Sequence, residues 1–169
     1  PKPFDTLLID SAGSCYACEC TAWLPQSIGN IQTQSIADML DNSIHTQLQK
    51  SISDGTYRYC NSNQCPYIKL YQTTQNSNWS FGSEHNQIKS HSHIKNIRLA
   101  IDNSCNLRCP SCRTSKIMLT RGNQFQARRR MADKVMDYLT QADQPLTVHV
   151  GSDGDPFASL IYRYFLRHA

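Results

Sequence analysis

Ile36, Leu40, Ile44, Leu48 and Ile52 recur at every fourth position and mark one face of a helix. Ser35 stands before them as an N-cap, with Asp38 three residues on completing a box-like start. Asp54-Gly55 closes the helix, because glycine tolerates the left-handed turn that follows a last helical residue. Residues 72–93 are then rich in Gln, Asn, Ser, Thr and His, with few apolar anchors, and read as a linker or exposed loop. Beyond them the period changes. Ile97, Leu99 and Ile101 alternate and predict a strand over about 95–102. Phe125, Met131, Val135, Tyr138 and Leu139 return to helical spacing over about 122–142, and Pro145 stops that helix. Leu146 to Val150 predicts a second strand, and a last helical segment is expected from near Phe157. Strands alternating with helices imply parallel βαβ units, so the fold class expected is α/β. Two strands close neither a sheet nor a barrel, and Leu160, Ile161, Tyr164, Phe165 and Leu166 need a surface to pack on. The chain is therefore expected to be the front part of a longer enzyme.

Composition narrows this picture only a little. At 169 residues and 39% apolar content the chain can build one domain, or one domain with a small module. A net charge of +4 is mild, and no segment forms a basic stripe, so no nucleic-acid partner is indicated. Arg128-Arg129-Arg130 sits inside the second helical pattern and is read as a solvated face. No apolar stretch approaches the roughly 18 residues of a membrane span, so no membrane partner is indicated either.

The cysteines change the picture most. Of eight, six fall in two close groups, Cys15, Cys18 and Cys20, and Cys105, Cys109 and Cys112. Cysteines two to four apart on a loop converge on a metal more naturally than they pair with one another, and this points to a reducing cytoplasm. The triplet Cys105-x3-Cys109-x2-Cys112 directly follows the first predicted strand of the second half. Three thiolates on one loop can hold three irons of a [4Fe–4S] cluster and leave the fourth open to a small molecule. Zinc, the other metal to weigh, wants four ligands, and no His lies near the triplet to complete them. The Gly-Ser-Asp-Gly-Asp-Pro turn at 151–156 follows the second strand. In a parallel α/β fold both loops lie at the carboxyl ends of neighbouring strands, where chemistry gathers.

Over roughly 95–169 this arrangement resembles the radical S-adenosylmethionine (radical SAM) superfamily. The resemblance implies that the domain begins a parallel (β/α) partial barrel, here incomplete. It also implies a [4Fe–4S] cluster on Cys105, Cys109 and Cys112, with S-adenosylmethionine held by the turn Gly151, Ser152, Asp153, Gly154 and Asp155. An electron donor would reduce the cluster. Cleavage of the sulfonium would yield a 5′-deoxyadenosyl radical that abstracts hydrogen from a substrate, peptide or sugar being what such relatives often modify. Two positions depart from the family pattern: Ser111 stands where an aromatic is frequent, and Asp155 is one methylene shorter than the usual Glu.

The first 70 residues carry the other five cysteines around the first helix: Cys15, Cys18 and Cys20 before it, Cys60 and Cys65 after it. With Gly29-Asn30-Ile31 and Tyr57-Arg58-Tyr59-Cys60, this resembles the SPASM and twitch auxiliary-cluster modules, placed here ahead of the radical SAM part. The resemblance implies a second [4Fe–4S] cluster. A closed cluster takes four thiolates, and Cys18, Cys20, Cys60 and Cys65 are chosen, with Cys15 able to replace one of the first pair. A four-thiolate zinc site fits the same residues. The expected organisation is thus a small Cys-rich α module over 1–70, a polar linker over 71–94 and the radical SAM part over 95–169. The rival reading is a non-catalytic zinc or iron–sulfur module.

Overall fold

The computed structural model describes residues 2–74, 94–151 and 154–169. Its centre is an open five-stranded mixed sheet in the order β3-β2-β1-β4-β5. The strands are β1 (Thr6–Ile9), β2 (Ser14–Tyr16), β3 (Ser27–Asn30), β4 (Asn96–Leu99) and β5 (Thr147–Val150). β1 to β3 form an antiparallel meander, while β1, β4 and β5 run parallel. Five helices accompany them among the described residues: α1 (Ile36–Leu40), α2 (Ser43–Ser53), α3 (Pro66–Thr74), α4 (Asn123–Thr140) and α5 (Leu160–His168).

The register aligns Leu7 with Ile97 and Val148, and Ile9 with Leu99 and Val150, so these side chains share one face of the sheet. They join one core with Met131, Ala132 and Val135 of α4 and Ile161, Tyr162 and Phe165 of α5. The helix positions 131, 135, 161 and 165 are spaced four apart, which is why each helix turns one stripe to the sheet. Ile161 and Phe165 thus have the surface they required, while Leu160 and Leu166 stay exposed.

The expected helices and strands of the second half appear with trimmed ends. The first half departs further. It was expected to be an α module, but it contributes three strands, and β1 lies directly beside β4. Its Thr-Leu-Leu-Ile strand is buried at every position. A four-residue run buried on both faces shows no alternation, so its period carries no strand signal. The hairpin is set by Asp10, whose carboxylate accepts from the Ala12 and Ser14 amides. The sheet is open and mixed; of the expected start of a parallel (β/α) partial barrel, the parallel set β1, β4 and β5 is present and no closure is seen among the described residues.

The single helix expected over 35–54 is broken at Asp41-Asn42. Asn42 caps α2 by accepting from the His45 amide, and its own side-chain amide donates to the Ile28 carbonyl of β3. Asn is a strong N-cap, and here a cap within the apolar period overrides that period. The break turns His45, Leu48 and Gln49 inward and leaves Ile44 40% exposed. His45 then ties the chain start to α1, with its ring nitrogens 2.7 Å from the Leu40 carbonyl and 3.0 Å from the Pro3 carbonyl. Most of the expected linker lies outside the described residues, and α3 carries the first half through Thr74.

Candidate metal and cofactor site

β4 ends at Leu99, and the chain passes through the buried residues Ala100, Ile101, Asp102 and Ser104 before emerging at the cysteine loop. Cys105 is half-buried, and Cys109 and Cys112 are exposed. The loop holds its own shape. Cys105 bridges to Ile117, donating its amide to the Ile117 carbonyl at 2.7 Å. The Cys112 and Arg113 amides both donate to the Cys109 carbonyl, at 2.9 and 3.1 Å. The Leu107 amide points at the Cys105 sulfur, 3.4 Å away. Arg113 bonds the Cys112 sulfur, and that bond first, with the nearby Cys112, Cys105 and Cys109 adding to it, pushes the guanidinium pKa up.

The turn after β5 packs against the start of this loop. The Gly151 amide donates to the Leu99 carbonyl, and the Asp155 amide donates to the Ser104 carbonyl at 2.9 Å. Gly151 has φ +83°, a left-handed conformation that favours glycine. At Gly154 a Cβ would stand 2.7 Å from both the Asp102 and Ser104 carbonyl oxygens, so the close approach itself requires glycine. The two predicted loops are thus neighbours, as strand polarity demanded. Ser152 and Asp153 lie outside the described residues.

Beneath the loop lies a polar network that the sequence reading missed. Asp102 is fully buried and accepts from the Ser104 amide and hydroxyl, from the Ser159 hydroxyl and from Arg128. Ser159 also caps α5 by accepting from the Tyr162 amide. The Tyr162 hydroxyl accepts from the Asp102 amide and donates to the Leu99 carbonyl. Arg128 is therefore not part of a solvated face, and Arg129 lies 3.0 Å over the Tyr164 ring; Arg130 is exposed as expected. The available signals were Ser159 ahead of an apolar run, which reads as a cap, and an Asp placed directly beyond a strand.

In the first half, the turn after β2 carries Cys18 and Cys20, and the turn after α2 carries Cys60, with Cys65 leading into α3. The Asn61 amide donates to the Trp23 carbonyl and joins the two segments. Cys18 senses the charge of Cys20 and Cys65, and Cys60 that of Cys65 and Cys18. Burial, and then these neighbours, push the Cys18 thiol up and the Cys60 thiol to about 11. Cys15 stands apart. It is fully buried on β2, its thiol faces the Gly13 carbonyl, and burial pushes it up to about 12. Among the described residues, no three His, Cys, Asp or Glu side chains close on a single ion. A tetrahedral ion with 2.3 Å bonds would draw its sulfurs to about 3.8 Å from one another, and a four-iron cluster holds its thiolates farther apart.

The thiol contrast can be measured directly. At pH 8 a thiol of pKa about 12 is thiolate only about one part in ten thousand, and Cys15 is also buried where Cys109 and Cys112 are exposed. Iodoacetamide applied to the metal-free folded protein should label Cys109 and Cys112 first and leave Cys15 unlabelled until unfolding, as read by peptide mass spectrometry. Early labelling of Cys15 in folded protein would contradict its placement in the core.

Residues 1–66 match the family model of SPASM, an iron–sulfur cluster-binding domain typical of radical-SAM-associated proteins. The match covers the five N-terminal cysteines and supports iron–sulfur binding. Neither the curated proteins nor the solved structures hold a match to the chain. No helix among the described residues is long and apolar enough to cross a membrane.

Proposed function

We propose that this chain carries the cluster- and cofactor-binding parts of a radical SAM enzyme, with Cys105, Cys109 and Cys112 as the ligands of an open [4Fe–4S] cluster. The observation that carries this reading is the seating of Gly154 and Asp155 against Asp102 to Ser104, which sets the glycine turn beside the cysteine loop. The donor set suits the group, because three thiols on one self-bonded loop leave one coordination position unfilled. When bound, such a cluster supplies the electron that splits the sulfonium of S-adenosylmethionine.

The chain's own residues then have separable tasks. Cys105, Cys109 and Cys112 anchor the cluster. In this reading Gly151 to Asp155 hold the methionine end of the cofactor, and the Asp155 carboxylate receives its ammonium. The Asp155 carboxylate already accepts from the Phe157 amide, which holds its orientation. Cys18, Cys20, Cys60 and Cys65 hold a second cluster in the 1–70 module, with Cys15 left in the core. The reaction class is hydrogen abstraction from an organic substrate, peptide and sugar being the classes to test first, with an external one-electron donor in a reducing cytoplasm.

The test is anaerobic reconstitution with iron and sulfide, then low-temperature EPR of the reduced protein with and without S-adenosylmethionine. A [4Fe–4S]⁺ signal that shifts on adding the cofactor is expected, and in Cys105→Ala the shifting signal should be absent while the auxiliary signal stays. Stoichiometric zinc without iron or sulfide would overturn the reading in favour of a structural module. Clusters that ignore the cofactor would point to electron transfer.

A further inference from the structure

Arg113 follows the last cysteine of the loop directly, and its guanidinium is held at three points. Nε and Nη2 each lie 3.4 Å from the Cys112 sulfur, while Nη1 donates to the Asn103 carbonyl at 2.8 Å. The planar fork thus presents two parallel N–H groups to one sulfur, a geometry a flexible ammonium does not reproduce. Its third nitrogen is anchored to the strand-end segment, and Arg128 holds the side-chain oxygen of the same Asn103 at 3.1 Å. The cation is therefore built into the loop by the loop's own backbone.

We propose that Arg113 is a positioning residue that sets the reduction potential of the cluster through its N–H···S bonds to Cys112. The inference rests on the cluster reading of Cys105, Cys109 and Cys112 given above. Hydrogen bonds to ligand sulfurs, net charge and solvent exposure are the levers that set such potentials. One-electron reduction adds a negative charge to the cluster and its thiolates. A fixed cation with two N–H groups on a ligand sulfur favours that extra charge, so it raises the potential. Arg113 would then decide how strong an external one-electron donor must be. Its charge also lies beside Cys112, which is exposed.

The test is an EPR-monitored redox titration of reconstituted full chain with dithionite and mediators, following the signal that responds to S-adenosylmethionine. Arg113→Gln should make the cluster at least tenfold harder to reduce, a drop of about 59 mV or more for one electron. Arg113→Lys keeps the charge but loses the fork, and should fall between the wild type and Gln. If Arg113→Gln takes up no cluster, the Lys variant decides, and a wild-type potential there overturns the proposal. Unchanged or raised potentials with full cluster content make Arg113 a mere loop anchor and also overturn it. A wild type with no cofactor-responsive signal brings down the cluster reading itself, an outcome visible before any variant is made.

Discussion

Asp102→Ala should destabilise the protein by about 3–5 kcal/mol, the usual cost of removing one partner from a buried ion pair. Asp102 is fully buried, and the Arg128 side chain is only 13% exposed, so the guanidinium would be left largely out of water without its counter-ion. Three further donors lose their acceptor: the Ser104 amide at 3.2 Å, the Ser104 hydroxyl at 3.0 Å and the Ser159 hydroxyl at 2.5 Å. Domains of this kind are stable by about 5–15 kcal/mol in total, so the loss is a large share. Asp102→Asn keeps the shape and some acceptor capacity and should cost less than Ala. Urea unfolding of both variants measures this through the midpoint at unchanged slope. An Asp102→Ala variant within 1 kcal/mol of wild type would show that the network does not hold the loop to α4 and α5.

The second large effect is expected at Gly154. A Cβ there meets two carbonyl oxygens at 2.7 Å and the Asn103 carbonyl carbon at 2.9 Å, all backbone. Backbone cannot swing aside as a side-chain tip can, so the turn must lift away from the cysteine loop. Gly154→Val should cost about 1–3 kcal/mol by overpacking, lowering the melting temperature by several degrees. It should also break the bond from the Asp155 amide to the Ser104 carbonyl. Under the proposed function, the variant keeps its reduced-cluster signal but loses the shift on adding S-adenosylmethionine. Wild-type melting in Gly154→Val would show that the two loops are not in contact. Normal melting and loss of cofactor response belong to separate questions, packing and binding, so the two readouts should be taken together.

The candidate site was legible to different depths at its different residues. Cys105, Cys109 and Cys112 stand out by spacing, and the 151–156 turn by composition, because both are local features. Their adjacency followed from the expectation that β4 and β5 run parallel, and the two strands do pair in parallel. Asp102 and Arg128 were illegible as a pair. They are 26 residues apart, and Asp102 meets Ser159 across 57, separations over which no periodicity carries information. An arginine within a basic run reads as solvated until a buried carboxylate is found beside it.

Features set by near neighbours along the chain are readable from residue order alone. The four-residue and alternating periods specified α4, β4, β5 and α5, since a helix or strand must turn one apolar stripe to a core. Glycine and proline marked their ends, and the cysteines stood out as two closely spaced groups. How the first half joins the second rests on long-range pairing that no local period records. β1 lies between β2 and β4, so the hairpin of the cysteine-rich region and the βαβ unit share one sheet. Strand pairing of Thr6 with Asn96 depends on contacts across most of the chain, and a four-residue strand buried throughout leaves no alternation to announce it. The break at Asn42 was likewise decided in three dimensions. A cap that also bonds β3 outweighed an unbroken helical period, and with it the choice of which residues face the core.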